Sequence, residues 1–366
     1  MSSTSAPSRP STAPSGRVAA ASLTRDLLEN TLGLGCLVVA LLAANVLTSY
    51  PLLVLTLSLV YAVALISIVV LTGYIGQVSL CQASFMGLGG FLAAALMGHY
   101  GWSYWVAAPV ACVLVFLVGV AVGLPALRLR GLTLAIVTLS LALLADYFLF
   151  VDVPWLNHDS NGWTITRPDF FGISLENNSA WLYRVVVIIT ALAILAVLRL
   201  RRGRTGKSWF AMRDAEIAAA TSGVPVVAMK LLGFGVAAAL GALAGVLYIL
   251  VEGSITADRF NFIASIQLLA IAAIAGVRSL PGAVLGALFY ILAPQLLLNF
   301  PSLVPLTSLI LGIGLIIQVI SAPQGLGGLL EAAETRLFRR LAGIGSAPSS
   351  RMPGSGTEKG DDDAAV

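Results

Sequence analysis

Residues 51–90 read PLLVLTLSLVYAVALISIVVLTGYIGQVSLCQASFMGLGG, and this stretch decides the fold. Its first part, 51–72, is apolar on every side and long enough to cross a bilayer, which takes about 20 apolar residues. Its second part, 73–90, interrupts the apolar run with Gly73, Gly76, Gly87, Gly89 and Gly90 and with the uncharged polar groups of Gln77, Ser79, Gln82 and Ser84. Irregular backbone survives at membrane depth only where protein or a water-filled cavity surrounds it. The pattern therefore predicts a broken helix that presents amides and hydroxyls to a passing polar solute. Close Gly/Ser helix packing is the competing account of the same residues.

The flanking sequence extends the same reading. No Asp, Glu, Lys or Arg occurs in 30–127 or in 279–330, gaps that hold roughly four and roughly two crossings. Of the 366 residues 58% are hydrophobic and 10% charged, whereas soluble domains carry about 25% charged residues, so a water-soluble enzyme is excluded. A membrane β-barrel would alternate apolar and polar positions, and stretches such as 185–198 do not. Hydropathy places ten crossings at 33–49, 51–72, 85–99, 104–124, 131–151, 181–199, 230–251, 262–277, 282–298 and 304–320. The expected fold is all-α and polytopic, with both termini on one side. Of the 21 Lys and Arg, all but Arg167, Arg184 and Arg259 then fall on the side of the termini, which the positive-inside rule makes the cytoplasm. Trp102, Tyr104, Trp105, Trp155, Trp163, Trp181 and Tyr183 mark the outer boundary. Residues 1–30, rich in Ser, Pro, Thr and Ala, read as a disordered cytoplasmic tail rather than a cleaved signal. Residues 31–325 form the transmembrane domain, and 326–366 a largely disordered cytoplasmic tail.

Two loops are sizeable. The outer one, 152–180, carries Asp152, Asp159, Asp169 and Glu176. The inner one, 200–229, begins with Arg201-Arg202-Gly203-Arg204 and continues SWFAMRDAEIAAATSGVP from Ser208. Ser208 is the expected cap of a helix over 209–222 that Gly223 and Pro225 terminate. Such a helix is about 21 Å long, too short and too polar to span, and belongs along the cytoplasmic face. Ten crossings also admit two halves of five related by an inverted two-fold, since an odd number reverses topology; the glycine-broken stretches 73–88 and 276–286 are the weak internal support.

Competing functions lack their residues. Gly206-Lys207-Ser208 resembles the end of a phosphate-binding loop, but Arg201 stands where its first glycine belongs and a membrane helix where its strand belongs. His99 stands alone, and His158 has only sequence neighbours, not the separated partners of a catalytic triad. Cys36, Cys81 and Cys112 sit singly in apolar runs as packed thiols. No spacing of a metal site appears, and neither cofactor nor nucleic acid is expected. An ion-driven carrier places ionisable residues at midmembrane; only Asp146 comes near, toward the outer end of the fifth segment. The passage is neutral, so the energy of transport comes from a partner.

At this point the sequence resembles a known family, the LivM-type permeases of ABC importers for branched-chain amino acids and related solutes. GYIGQVSLCQASFMGLGG at 73–90 is similar to the family's G-[YF]-x-G-Q-x-S-L-G-x-A-x-F-x-G-[IL]-G-A, with Cys81 and Gly90 replacing small residues. LRLRGLTLAIVTL at 127–139 resembles L-R-L-R-G-[LI]-Y-[FL]-A-[IM]-[VA]-T-L, with Thr133 in place of the aromatic. RTGKSWFAMRDAEIAAATSGV at 204–224 resembles R-x-[RQ]-D-E-x-A-A-x-x-x-G, the helix that docks on the ATPase. GVRSLPG at 276–282 and PQGL at 323–326 complete the set. The resemblance covers about 50–330. It departs at Asn157-His158-Asp159-Ser160-Asn161-Gly162, where many members have T-G-G-[ST]-[DN]-G, and at Ala322, where they usually have Arg. It implies a translocation subunit in the cytoplasmic (inner) membrane of a prokaryote, itself no enzyme. Its implied partners are a second homologous permease, two ATP-binding ABC subunits, an extracytoplasmic solute-binding protein and the lipid bilayer. Gly73, Gln77, Ser79, Gln82 and Ser84 would line the pathway, and Arg213, Asp214, Glu216, Ala218, Ala219 and Gly223 would couple it to the ATPase. Branched-chain or other small amino acids are the first solutes implied, with urea or short amides as the alternative; an ion-coupled carrier is a further alternative.

Overall fold

The computed structural model describes residues 40–42, 44–129, 131–156, 162–170, 173–176 and 178–297. Both expected tails, residues 33–39 and 43 of the first crossing, the whole tenth, the departures at 157–161 and Ala322, and the PQGL motif lie outside the described residues. Within them the chain is all-α, as the hydropathy predicts. Six long helices follow one another: α1 Ser49–Ile75, α2 Gln82–Tyr100, α3 Tyr104–Ala126, α4 Leu132–Leu149, α5 Ser179–Arg202, then, after the short α6 Arg204–Asp214 and α7 Glu216–Thr221, α8 Val226–Glu252. Two shorter apolar helices, α9 Phe262–Ala275 and α10 Leu280–Leu297, complete the described chain. Among the described residues α1, α3, α4, α5 and α8 are each long and apolar enough to cross a membrane.

The centre is α8. It packs along α1, α2 and α3, and small residues permit the approach. A Cβ at Gly245 would overlap the Met86 carbonyl oxygen of α2, one at Gly89 would overlap Ala242, and one at Gly119 would overlap Ala238. The opposite faces of α3 and α4 leave Val113, Leu117, Leu132 and Ile136 exposed, the surface expected against lipid tails. Hydroxyls inside the apolar α1 bond back to its own carbonyls: Thr56 to Leu52 (2.6 Å), Ser58 to Val54 (2.8 Å) and Ser67 to Ala64 (2.6 Å). Thus these three buried hydroxyls are satisfied within the helix itself.

Helix pairs recur in the manner of an inverted repeat: α3 lies along α8 as α10 lies along α1, and α2 meets α3 as α9 meets α10. This is the pairing that a repeat of α1–α3 in α8–α10 would give. The glycine-broken stretches 73–88 and 276–286 touch, since a Cβ on Gly73 would overlap the Val277 carbonyl oxygen.

One end of the bundle gathers 73–81, 128–129 with Gly131, 200–229 and 276–279. The other end carries the described parts of 150–178, which contribute to two short ribbons. β1 (Trp163–Thr164) pairs with β4 (Ser254–Ile255), and β2 (Asp169–Phe170) with β3 (Ile173–Ser174). The aromatics assigned to this boundary are largely turned inward. Trp163 is buried, donates to the Leu156 carbonyl (2.7 Å) and stands edge-on to His99, which stacks on Trp155. The buried Tyr104 donates to the Val246 carbonyl (3.1 Å), and Tyr183 of α5 packs against Leu52 of α1. They tie the loop and helices together, while Trp102 and Trp155 remain exposed.

Candidate translocation pathway and coupling element

The predicted break is present, and its chemistry follows from where backbone partners are found. The last turns of α1, Val69–Ile75, are π-wound, and Gly76 ends them in the left-handed region (φ 79°). Residues 77–81 form neither helix nor strand until α2 starts at Gln82. The exposed donors of this segment are met by hydroxyls from other helices: Leu80 N–H donates to Thr138 Oγ1 of α4 (3.0 Å) and Ala83 N–H to Ser265 Oγ of α9 (3.1 Å). Thr138 and Ser265 were not singled out in the sequence; the only signal they offer is a hydroxyl inside an apolar run.

Of the five expected pathway residues, Ser79, Gln82 and Ser84 are buried in this cradle. Ser79 Oγ meets Cys81 Sγ (3.1 Å), and Ser67 Oγ donates to Gln82 Oε1 (3.2 Å). Gln77 Oε1, Gln82 Nε2 and Ser84 Oγ are buried with no hydrogen-bond partner among the described residues. An unmet buried amide or hydroxyl costs about 1–3 kcal/mol, so these three are the polar atoms of the break with capacity for a further partner. Gly73 stands apart from them, at the contact with Val277.

The expected coupling helix over 209–222 is corrected. It is two helices, α6 and α7, broken at Ala215 (φ −154°, ψ 88°). α6 begins at Arg204, so Ser208 is no cap; it lies inside the helix, donating to the Arg204 carbonyl (3.0 Å). Anchoring on both sides of Ala215 overrides the helix propensity of the alanine-rich run. In α6 the fully buried Trp209 donates to the Met229 carbonyl (2.9 Å), and Met212 is buried. In α7 Ala219 is buried and Glu216 forms a 2.8 Å ion pair with Lys230 of α8. Gly223 closes α7 as expected: it is left-handed (φ 84°), and Val224 N–H reaches back to the Ala219 carbonyl (3.1 Å).

Pathway and coupling residues, predicted from separate motifs, meet. A cavity of about 180 Å³ is lined by Gln77, Gly76, Met212, Arg213, Glu216 and Lys230, together with the start of α4. Arg213 Nη1 donates to the Gly73 carbonyl. Desolvation, and then the like charge of Arg278, lower the Arg213 pKa, although guanidinium stays charged throughout the range proteins experience. Asp214, Ala218 and Gly223 are exposed, and Ile217 beside them is 74% exposed. The element thus has an inner face that grips the bundle and an outer face that is free. Asp146, in the π-wound last turn of α4, accepts from Phe262 N–H (3.3 Å) at the start of α9, a helix-capping task. No group of three or more metal-ligating residues occurs among the described residues.

A bundle of apolar helices around a polar-lined break, with a surface element attached to it, is the architecture of a multi-pass membrane protein. Residues 50–319 match the family described as branched-chain amino acid transport system / permease component, and the chain belongs to that family. It is 27% identical over 293 residues to the high-affinity branched-chain amino acid transport system permease protein LivM of Escherichia coli K12, covering 74% of this chain and 68% of the relative. The LivM protein of Salmonella typhimurium LT2 is similar to the same extent, at 27% over 293 residues. No solved structure matches the chain.

Proposed function

We propose that this chain is the translocation subunit of an ATP-driven importer that carries branched-chain or other small amino acids across the inner membrane of a prokaryote. The observation that carries this reading is the junction of the broken helix with α6–α7 at one cavity, beneath a passage without charged side chains in its middle turns. In this reading the end bearing 200–229 is cytoplasmic, and ATP-binding subunits meet the exposed Asp214, Ile217 and Ala218. A second homologous permease completes the membrane unit, and a solute-binding protein docks at the ribboned outer end.

An amino acid crossing such a passage exchanges water for hydrogen bonds. The unmet Gln77, Gln82 and Ser84 atoms offer a few, and a neutral lining keeps them weak, so the solute is not retained. Selectivity then rests chiefly with the binding protein. Proteoliposomes holding the complete complex test the reading: uptake of labelled L-leucine is expected to require ATP and to persist with an uncoupler. Uptake that proceeds without ATP and collapses with the uncoupler refutes it in favour of an ion-coupled carrier.

A further inference from the structure

The charged residues of α6 and α7 do not share one direction. Asp214 stands on the surface, whereas Arg213 and Glu216 reach into the bundle. Arg213 binds the carbonyl of Gly73, at the end of α1. Helix C-termini leave carbonyls without intrahelical donors, and the helix dipole favours a cation there. Gly76 is shaped for this contact as well as for its turn: a Cβ on it would lie 2.8 Å from Arg213 Cγ. Gly73 in turn abuts the Val277 carbonyl, so the same junction reaches the turn between α9 and α10. Arg278 brings a like charge to Arg213. One charge-assisted bond held against a like charge secures one arrangement without making another inaccessible.

We propose that Arg213 is the positioning residue through which movement of α6–α7 reaches the broken helix. While its bond to Gly73 is made, residues 73–81 follow the element, and the mouth beside Gln77 opens and closes with it. Glu216–Lys230 fastens the same element to α8, so α6–α7 bridges the broken helix and the central helix. This inference rests on the reading of α6–α7 as the ATPase contact.

The test uses the full complex in proteoliposomes, with Cys36, Cys81 and Cys112 replaced by alanine and Gln77→Cys as the reporter. Maleimide labelling from the cytoplasmic side is expected to change on addition of ATP in the Arg213 parent and to lose that response with Arg213→Gln. In the same variant without the reporter, L-leucine moved per ATP hydrolysed is expected to fall about tenfold, the scale of one lost charge-assisted bond. Arg213→Lys keeps a cation and a donor and is expected to keep the ATP response. Labelling that responds to ATP equally in Arg213→Gln overturns the inference and leaves the ATPase contact standing. Labelling that responds in neither background overturns the ATPase reading and this inference with it. If Arg213→Gln does not reach the membrane, Arg213→Lys decides: a retained response supports the linkage, and a lost response overturns it.

Discussion

Glu216→Gln is expected to loosen α7 from the bundle without unfolding the permease. The Lys230 side chain is 4% exposed and that of Glu216 28%, with 2.8 Å between Nζ and Oε1. Breaking a buried pair by neutralising one partner costs about 3–5 kcal/mol because a buried charge is left uncompensated. The carboxylate here is partly wetted, which reduces the loss, so about 2 kcal/mol is the expected cost. Since 1.36 kcal/mol is a factor of ten, the local opening equilibrium of α7 rises by about 30-fold. Hydrogen–deuterium exchange of the amides in 217–224, read by mass spectrometry on the assembled complex, measures that opening. Glu216→Gln combined with Lys230→Met removes both charges, and replacing a pair by apolar groups is often neutral; exchange in the double variant is expected within about threefold of the parent, as a double-mutant cycle requires for coupled neighbours. Unchanged exchange in Glu216→Gln, or a double variant as loose as the single one, refutes the pair as the tie that holds α7.

Three further outcomes follow from the same geometry. Gly223→Val places a β-branched residue at φ 84°, where it is strained by conformation alone because no atom lies within 4 Å of the added Cβ; solute-stimulated ATP hydrolysis by the reconstituted complex should be lost while the subunit remains in the membrane. Gln82→Leu, which removes the Ser67 contact and the unmet Nε2, should lower the rate of L-leucine uptake more than its apparent affinity, and equal loss of both contradicts the pathway assignment. A cysteine at the exposed Glu176, in a background without native cysteines, should react with an impermeant maleimide in intact cells, whereas Ser346→Cys should be protected; the reverse pattern overturns the orientation.

The crossings α1, α3, α4, α5 and α8 were legible because burial in lipid demands long apolar runs; their ends were not read from the sequence, although Gly253 ends α8 in a left-handed turn and Asn261 caps α9 through Ala264 N–H (2.8 Å). The break after α1 was legible from glycine density and uncharged polar groups. The partners of that break were not, since Thr138 and Ser265 lie 58 and 182 residues from the amides they satisfy and a single hydroxyl in an apolar helix has many local uses. Lys230 reads as a loop-edge cation and is buried, because its partner arrives from another helix. The division of the coupling element at Ala215 was hidden for the same reason. Alanine propensity favours one helix, and only the contacts of Trp209 and Glu216 show why there are two.

The inward-facing charges share a placement that bears on how such a passage can be driven. Arg167 donates to the Leu250 and Val251 carbonyls at the end of α8, Arg213 to the Gly73 carbonyl at the end of α1, and Asp146 accepts at the start of α9. Each sits where a helix terminus offers the complementary partial charge, and Lys230 is neutralised by Glu216. None of these charges lies in the middle turns of a span. A coupling ion would need a ligand there, and the lining offers amides and hydroxyls instead. In the proposed reading, force on this passage acts on its helix ends rather than on a charge within it. The end of α1 is the one that is both broken away from its successor and gripped by the surface element, so it is at Gly73 and Gly76 that movement outside the membrane can become movement inside it.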